Sequence, residues 1–173
     1  GTSGQFLKFT GSTTLASAAE AAGGKILQVQ GRTVTGERNT NSTSNVATNI
    51  HDSITPSATS SKILVLISLP SVYASNRTRP TRITIRRHTS TVSVGGAEQA
   101  GASEVSGDFH MNYMGGSDQQ VGRSEYNFLD SPNTTSEIFY QVFFSSHNSD
   151  NTSYIGQSSV PNSHITLLEV DGS

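Results

Sequence analysis

Two stretches of this 173-residue chain are apolar on both faces of an extended strand, in a sequence that is otherwise polar almost throughout. In KILVLISL (62–69) Ile63, Val65, Ile67 and Leu69 share one side, while Leu64 and Leu66 take the other. In EIFYQVFF (137–144) Ile138, Tyr140, Val142 and Phe144 stand opposite Phe139 and Phe143. A strand with one wet face alternates apolar and polar positions, so these two predict strands covered on both sides. RITIRR (82–87) alternates cleanly, with Ile83 and Ile85 on one face. KILQVQ (25–30), NVATNIHDSIT (45–55), FHMNYM (109–114), YNFL (126–129) and HITLLEV (164–170) supply further strand candidates. In KILQVQ the alternation sets Ile26 against the pair Leu27 and Val29.

Gly-, Ser- and Asn-rich segments separate these runs: GGAEQAGASEVSGD (95–108), GGSDQQVGRS (115–124), DSPNTTS (130–136) and SSHNSDNTS (145–153). Many short strands with such punctuation, and no long helical periodicity, predict an all-β antiparallel sandwich of the jelly-roll kind, with about eight to ten strands. Residues 1–24 hold a small apolar patch (Phe6, Leu7, Phe9) and an Ala-rich stretch closed by Gly23-Gly24. They read as a short connector into a head domain at 25–173. LASAAEAA has the length for two helical turns, although so short a helix is marginal in water.

The doubly apolar strands bear on assembly. One face of each packs on the second sheet of a sandwich. Nothing helical is available to cover the other, so a neighbouring subunit is the economical cover, with a central strand of a closed monomeric barrel as the alternative. Composition points the same way. Only 32% of residues are hydrophobic and more than a quarter are Ser or Thr, so a shared core would help most. The 14% charged content and net charge of −2 oppose a disordered chain, as does the clustering of apolar residues. There is no Cys, which excludes disulfides and Cys-based zinc sites and favours assembly in a reducing cytosol. No 18-residue apolar run predicts a membrane span. The opening GTSGQFLKF reads as an excised fragment rather than a signal peptide.

The order GGKILQVQ, SITPSATSSKILVLIS, DSPNTTSEIFYQVFF and SHITLLEV resembles the C-terminal domains of tail-fibre-like virion proteins of bacteriophages, especially of aquatic bacteria. GTSGQFLKFTGS resembles the short repeats that precede such domains. The resemblance spans about residues 1–10, 23–70 and 130–170. It implies a homotrimeric head on a virion assembled in the bacterial host cytoplasm, joined to other virion proteins through the N-terminal connector. It also implies attachment to host polysaccharide or lipopolysaccharide through variable loops. The alternative is a structural virion protein, a capsid decoration or a head or neck fibre that binds no receptor.

Motifs for catalysis are missing. No G-x-S-x-G elbow, P-loop or dinucleotide fingerprint occurs, and the five His lack metal-ligand spacing. No cofactor, metal or enzymatic activity is therefore expected. Asp108 and Asp118 form a pair of loop carboxylates that spacing alone does not make a glycosidase site. The strongest local bias is SNRTRPTRITIRRH (75–88), with Arg77, Arg79, Arg82, Arg86 and Arg87. Guanidinium forks suit carboxylate or phosphate groups of a bacterial glycan. A plainer reading is an Arg-rich strand face paired with Glu98, Glu104, Glu125 or Glu137. Nucleic acid is disfavoured by the slightly acidic chain and the lack of interleaved aromatics. Recognition in a sandwich falls to loops, and the candidate ligand-binding residues are Tyr73, Arg77, Arg79, Asp118, Asn148, Asp150 and Tyr154. The loops farthest from Gly23-Gly24 are expected to carry the receptor surface.

Overall fold

A computed structural model describes residues 5–9, 15–19, 25–75, 79–99, 101–105, 109–110, 122–156 and 162–172. Every regular element among them is a strand. β1 (Gln5–Phe9) and β2 (Leu15–Ala19) form an antiparallel hairpin that pairs only with itself, so the Ala-rich segment is a strand where a short helix was conceivable. The head consists of β3 (Ile26–Val34), β4 (Arg38–Thr40), β5 (Val46–Ile54), β6 (Lys62–Ala74), β7 (Thr81–His88), β8 (Ser103–Glu104), β9 (Phe109–His110), β10 (Gly122–Asp130), β11 (Ile138–Ser146), β12 (Ser153–Ile155) and β13 (Ser163–Val170).

One sheet runs β3-β13-β6, with β10 on the other edge of β6 and the short β12 and β4 continuing past β13. The second runs β5-β11-β7, with β8 and β9 along the free edge of β7. All pairings are antiparallel, and successive long strands alternate between the sheets, which is jelly-roll topology. Between the sheets lie Ile63, Val65, Ile67 and Leu69 of β6, facing Tyr140, Val142 and Phe144 of β11 and Ile83 and Ile85 of β7. These are the faces that the alternation assigned. The chain enters and leaves at one end, where Asp171 N–H donates to Lys25 O at 2.9 Å. We call that end proximal and the other distal.

The outer face of β11 does not need a second subunit. Phe143 is 0% exposed within the single chain. Residues 91–99 fold back across this face as a strap, hung on the side chain of Gln141. Its amide donates to Thr48 O (2.7 Å) and Val92 O (2.8 Å) and accepts from Val92 N–H (2.9 Å). A fully engaged amide can be buried where a bare one would cost free energy. Ala47 N–H donates to Gly96 O and Gly95 N–H to Ala47 O, docking the strap beside β5. The expectation of a subunit over EIFYQVFF is thus corrected for this strand. The outer face of β6 is another matter, since Leu66 remains 38% exposed.

The TPSATSS connection between the sheets is held at the proximal end by Glu169 of β13, which is 0% exposed. Its carboxylate accepts from Ser57 N–H (2.7 Å), Ser57 Oγ (2.6 Å) and Gln28 Nε2 (2.6 Å). Burial alone would raise its pKa, but these bonds, with Ser61, outweigh it and hold the carboxyl at about 2. A depressed carboxyl stabilises the fold above its unfolded pKa and loses that contribution as pH falls through the folded value. Relative to Glu169→Gln, the native chain should be more stable by on the order of 3 kcal/mol above pH 5. The difference should shrink between about pH 4.5 and pH 2, measured by urea unfolding at each pH. A pH-independent difference would contradict the clasp. For the strap, Gln141→Leu keeps volume but strips three backbone groups of their partner. It should lower unfolding free energy by about 3 kcal/mol, and a loss below 0.5 kcal/mol, roughly that of an ordinary surface change, would contradict the strap.

Candidate functional site

At the distal end of the first sheet, Tyr73 of β6 pairs directly across from Tyr154 of β12, and Tyr154 from Asn39 of β4. Side chains opposite each other on neighbouring strands share a face. The two phenol rings stack with centroids 4.5 Å apart and planes 3° from parallel. Both rings are half-buried. Tyr73 Oη donates to Glu37 Oε2 at 2.7 Å. Burial raises the Tyr73 pKa and the Glu37 carboxylate raises it further, so the phenol stays a donor at any physiological pH.

Local backbone geometry brings Glu37 here. The turn between β3 and β4 passes through Gly36 with φ +88°. Gly156, just after β12, also has positive φ, and a Cβ on it would lie 2.8 Å from Gly36 O. Only glycine fits where these segments touch. Gly156 N–H donates to Ser71 O at 2.8 Å, tying the crossing to β6. Arg38 turns back on its own segment, donating from Nη1 to Glu37 O at 2.7 Å.

The neighbouring turns complete the end. Thr81 Oγ1 donates to Tyr73 O at 2.9 Å, so the β6–β7 turn, with exposed Arg79, begins beside the ring pair. The β11–β12 connection, which crosses from one sheet to the other, carries half-buried Asn148 and exposed Asp150. It closes through Asn151 N–H to Asn148 O (3.2 Å) and is joined to β6 by Ser75 N–H to Thr152 O (2.8 Å). Buried polar atoms without a hydrogen-bond partner among the described residues gather here: Arg38 Nε, Ser71 Oγ, His147 Nδ1, Asn148 Oδ1 and Ser153 Oγ. Such groups are costly unless water or a ligand engages them.

Of the residues proposed from sequence, Tyr73 and Tyr154 are therefore in contact, and Arg79, Asn148 and Asp150 occupy adjoining turns. Arg77 and Asp118 lie outside the described residues, as do Asp108 and residues 111–121. Glu37 was missed. Its only signal was a charge in the TGERNT turn, which says nothing of the Tyr 36 positions away.

The arginine cluster divides. Arg86 is held between Glu98 (Nε to Oε1, 3.0 Å) and Glu104, and Arg87 pairs with Asp130. Glu98 also accepts from Asn45 Nδ2 at 2.9 Å. Arg86 ties the strap to the second sheet, Arg87 ties the second sheet to the end of β10 in the first, and Arg79 is left as the exposed guanidinium near the rings. A proximal cleft of about 350 Å³ is lined by Arg87, His88, Ser103 and Glu137 among others. Its Arg87 is already engaged by Asp130, and Glu137 accepts from Ser53 Oγ at 2.9 Å. Among the described residues no group of three His, Asp or Glu is placed to hold a metal.

No family model matches this chain, and no curated protein matches it. Among solved structures, it is similar to the infectious bursal disease virus VP2 subviral particle, with TM-score 0.40 and 9% identity over 94% of this chain and 43% of that one. T=1 particles derived from the same virus give TM-score 0.39 and 6% identity, over 95% and 40%. The Gx strain gives 0.34 and 10%, over 95% and 41%. The chain thus spans about two-fifths of the length of these proteins. Likeness at this level assigns no function.

Proposed function

We propose that this chain is the head domain of a bacteriophage virion fibre that attaches the particle to host-surface glycan without catalysis, through its distal end. The observation that carries the reading is the convergence of the Tyr73–Tyr154 stack and Glu37 at the end opposite the point where the chain enters. Ring faces take the C–H surface of a sugar, and phenol, carboxylate and amide groups around them bond its hydroxyls. Glu37 beside the rings disfavours a polyanion at that spot. The geometry therefore suits a neutral or amino-sugar unit on the platform, with Arg79 reaching an acidic group further along the chain. Sites of this kind are shallow, and display of three copies on one axis would raise avidity by roughly 10²–10⁴. The virion context and bacterial assembly rest on the resemblance of the sequence to tail-fibre domains.

The test is an array of bacterial surface polysaccharides and lipopolysaccharide O-chains probed with the native chain, Tyr154→Ala and Glu37→Gln. We expect retention of a subset of glycans, at least a tenfold weaker signal for both variants, and unchanged oligomeric mass. Tenfold corresponds to about 1.4 kcal/mol, the scale of one lost stacking or charged hydrogen-bond contact. Undiminished binding by both variants would move the site elsewhere. If the native chain retains no glycan and does not slow adsorption of phage to cells, the structural decoration reading replaces this one.

A further inference from the structure

The proximal cleft at the end of β7 takes no part in the distal site. Its volume is about 350 Å³, at the lower end of the range for small-molecule sites. His88, the last residue of β7, forms part of its lining, yet is only 4% exposed. The imidazole tilts against Phe143 with ring centroids 5.2 Å apart. Neither Nδ1 nor Nε2 has a hydrogen-bond partner among the described residues. A ring buried that deeply with both nitrogens open carries a desolvation cost that a molecule entering the cleft can repay.

The lining sets the chemistry of that molecule. Burial, with the Arg86 charge, holds the His88 ring below the ordinary imidazole range against the opposing pull of Glu98 and Gln99. A neutral ring offers one donor and one acceptor. The guanidinium in the lining, Arg87, is paired with Asp130 and reaches Ser103 Oγ at 3.5 Å, so an anion finds no free cation. Glu137, the other charge in the lining, would repel an anion. A cation would sit beside the Arg87–Asp130 pair with only this exposed carboxylate to compensate it. The remaining polar groups, from Gln99, Ser103 and Thr134 among others, are amide and hydroxyl groups that donate and accept. Ile138 and Ala102 add a small apolar patch. The wall is open at Gly101, where φ is +82° and an added Cβ would meet nothing within 4 Å.

We infer that this cleft is a second binding site, for a neutral hydroxylated molecule the size of one sugar unit, with His88 as its buried anchor. Sugar hydroxyls donate and accept at once. One accepts from the ring N–H or donates to the bare ring nitrogen, and the hydroxyl and amide side chains around it take the others. The C–H surface of the sugar rests on Ile138 and Ala102. A free sugar and one residue of a longer glycan share this chemistry. The lining comes from three separate pieces of chain: the end of β7, residues 99–103 at the exit of the strap, and residues 134–138 leading into β11. Occupancy would therefore fasten the strap's exit to the start of β11. The cleft shares no residue with the Tyr73–Tyr154 pair and stands at the other end of β7, about 23 Å along its eight residues. It holds whether or not the distal platform binds glycan.

The test is an NMR titration of the full chain, reading backbone amides and imidazole nitrogens. The probes are methyl glucoside, methyl galactoside, methyl N-acetylglucosaminide, glucuronate and glucosamine, each up to about 100 mM, well past the millimolar Kd of a weak site. At least one neutral glycoside should shift the His88 imidazole and the Gly101 and Ser103 amides saturably, with glucuronate and glucosamine at least about tenfold weaker. A disaccharide of the responding sugar separates the two sources: a retained response supports a glycan residue, a lost one a free sugar. His88→Phe keeps a ring against Phe143 but removes both nitrogens, and should abolish the response with an unchanged circular dichroism spectrum. Ala102→Leu fills the cleft without touching the imidazole and should do the same, so the inference stays testable if His88→Phe does not fold. Tyr154→Ala should leave the response intact, which separates failure of the distal platform from failure of the cleft. No shift at His88, Gly101 and Ser103 with any probe would overturn the inference, leaving the cleft to water. So would a response to glucuronate as strong as to the neutral glycosides, or one that survives the substitutions at His88 and Ala102.

Discussion

A strand that is apolar on both faces must be covered twice, and the architecture follows from how this chain meets that requirement. The sandwich interior covers one face of β6 and one of β11. The second face of β11 is covered by residues 91–99, which could not lie there without Gln141 to take up backbone groups that would otherwise be buried unpaired. This placement draws in Arg86, which bridges Glu98 of the strap and Glu104 of β8. One polar side chain in an apolar run thus decides where a long loop goes, and the loop decides what one of the arginines is for.

The two ends of the sandwich have different physical characters. At the proximal end a buried carboxylate is saturated by Ser57 and Gln28, a closed network that fixes how the chain passes from one sheet to the other. At the distal end polar groups are brought together but left with open valences, around two half-buried rings. Satisfied networks hold a fold, whereas unsatisfied ones at a surface are where a ligand repays desolvation.

Period-two alternation made the strands legible. Ile83 and Ile85, the inward set of β6 and the inward set of β11 all fall where the pattern put them. It failed where the backbone breaks period two. The bulge at Leu27 places Ile26 and Val29 on one face, although strict alternation separates them. The strap was illegible for a different reason: its anchors, Gln141 and Val92, are 49 residues apart, and no local signal links them. The distal residues Tyr73 and Tyr154 were found from their loop-flanking positions. Their stacking and the arrival of Glu37 depend on the long-range pairing of β6, β12 and β4, which the sequence does not display.

The central claim is that the second face of β11 is covered by a segment of its own chain, held there by Gln141. Methyl NMR with a water-soluble paramagnetic agent, recorded over a dilution series, tests it directly. The account predicts that the Ala47 methyl, beneath the strap on the same face as Phe143, stays protected from the agent at every concentration and loses that protection in Gln141→Leu. The methyls of Val29 and Leu129, exposed in the single chain, set the relaxation expected of an uncovered methyl at the lowest concentration. An Ala47 methyl in the native chain that broadens as strongly as those of Val29 and Leu129 would contradict it.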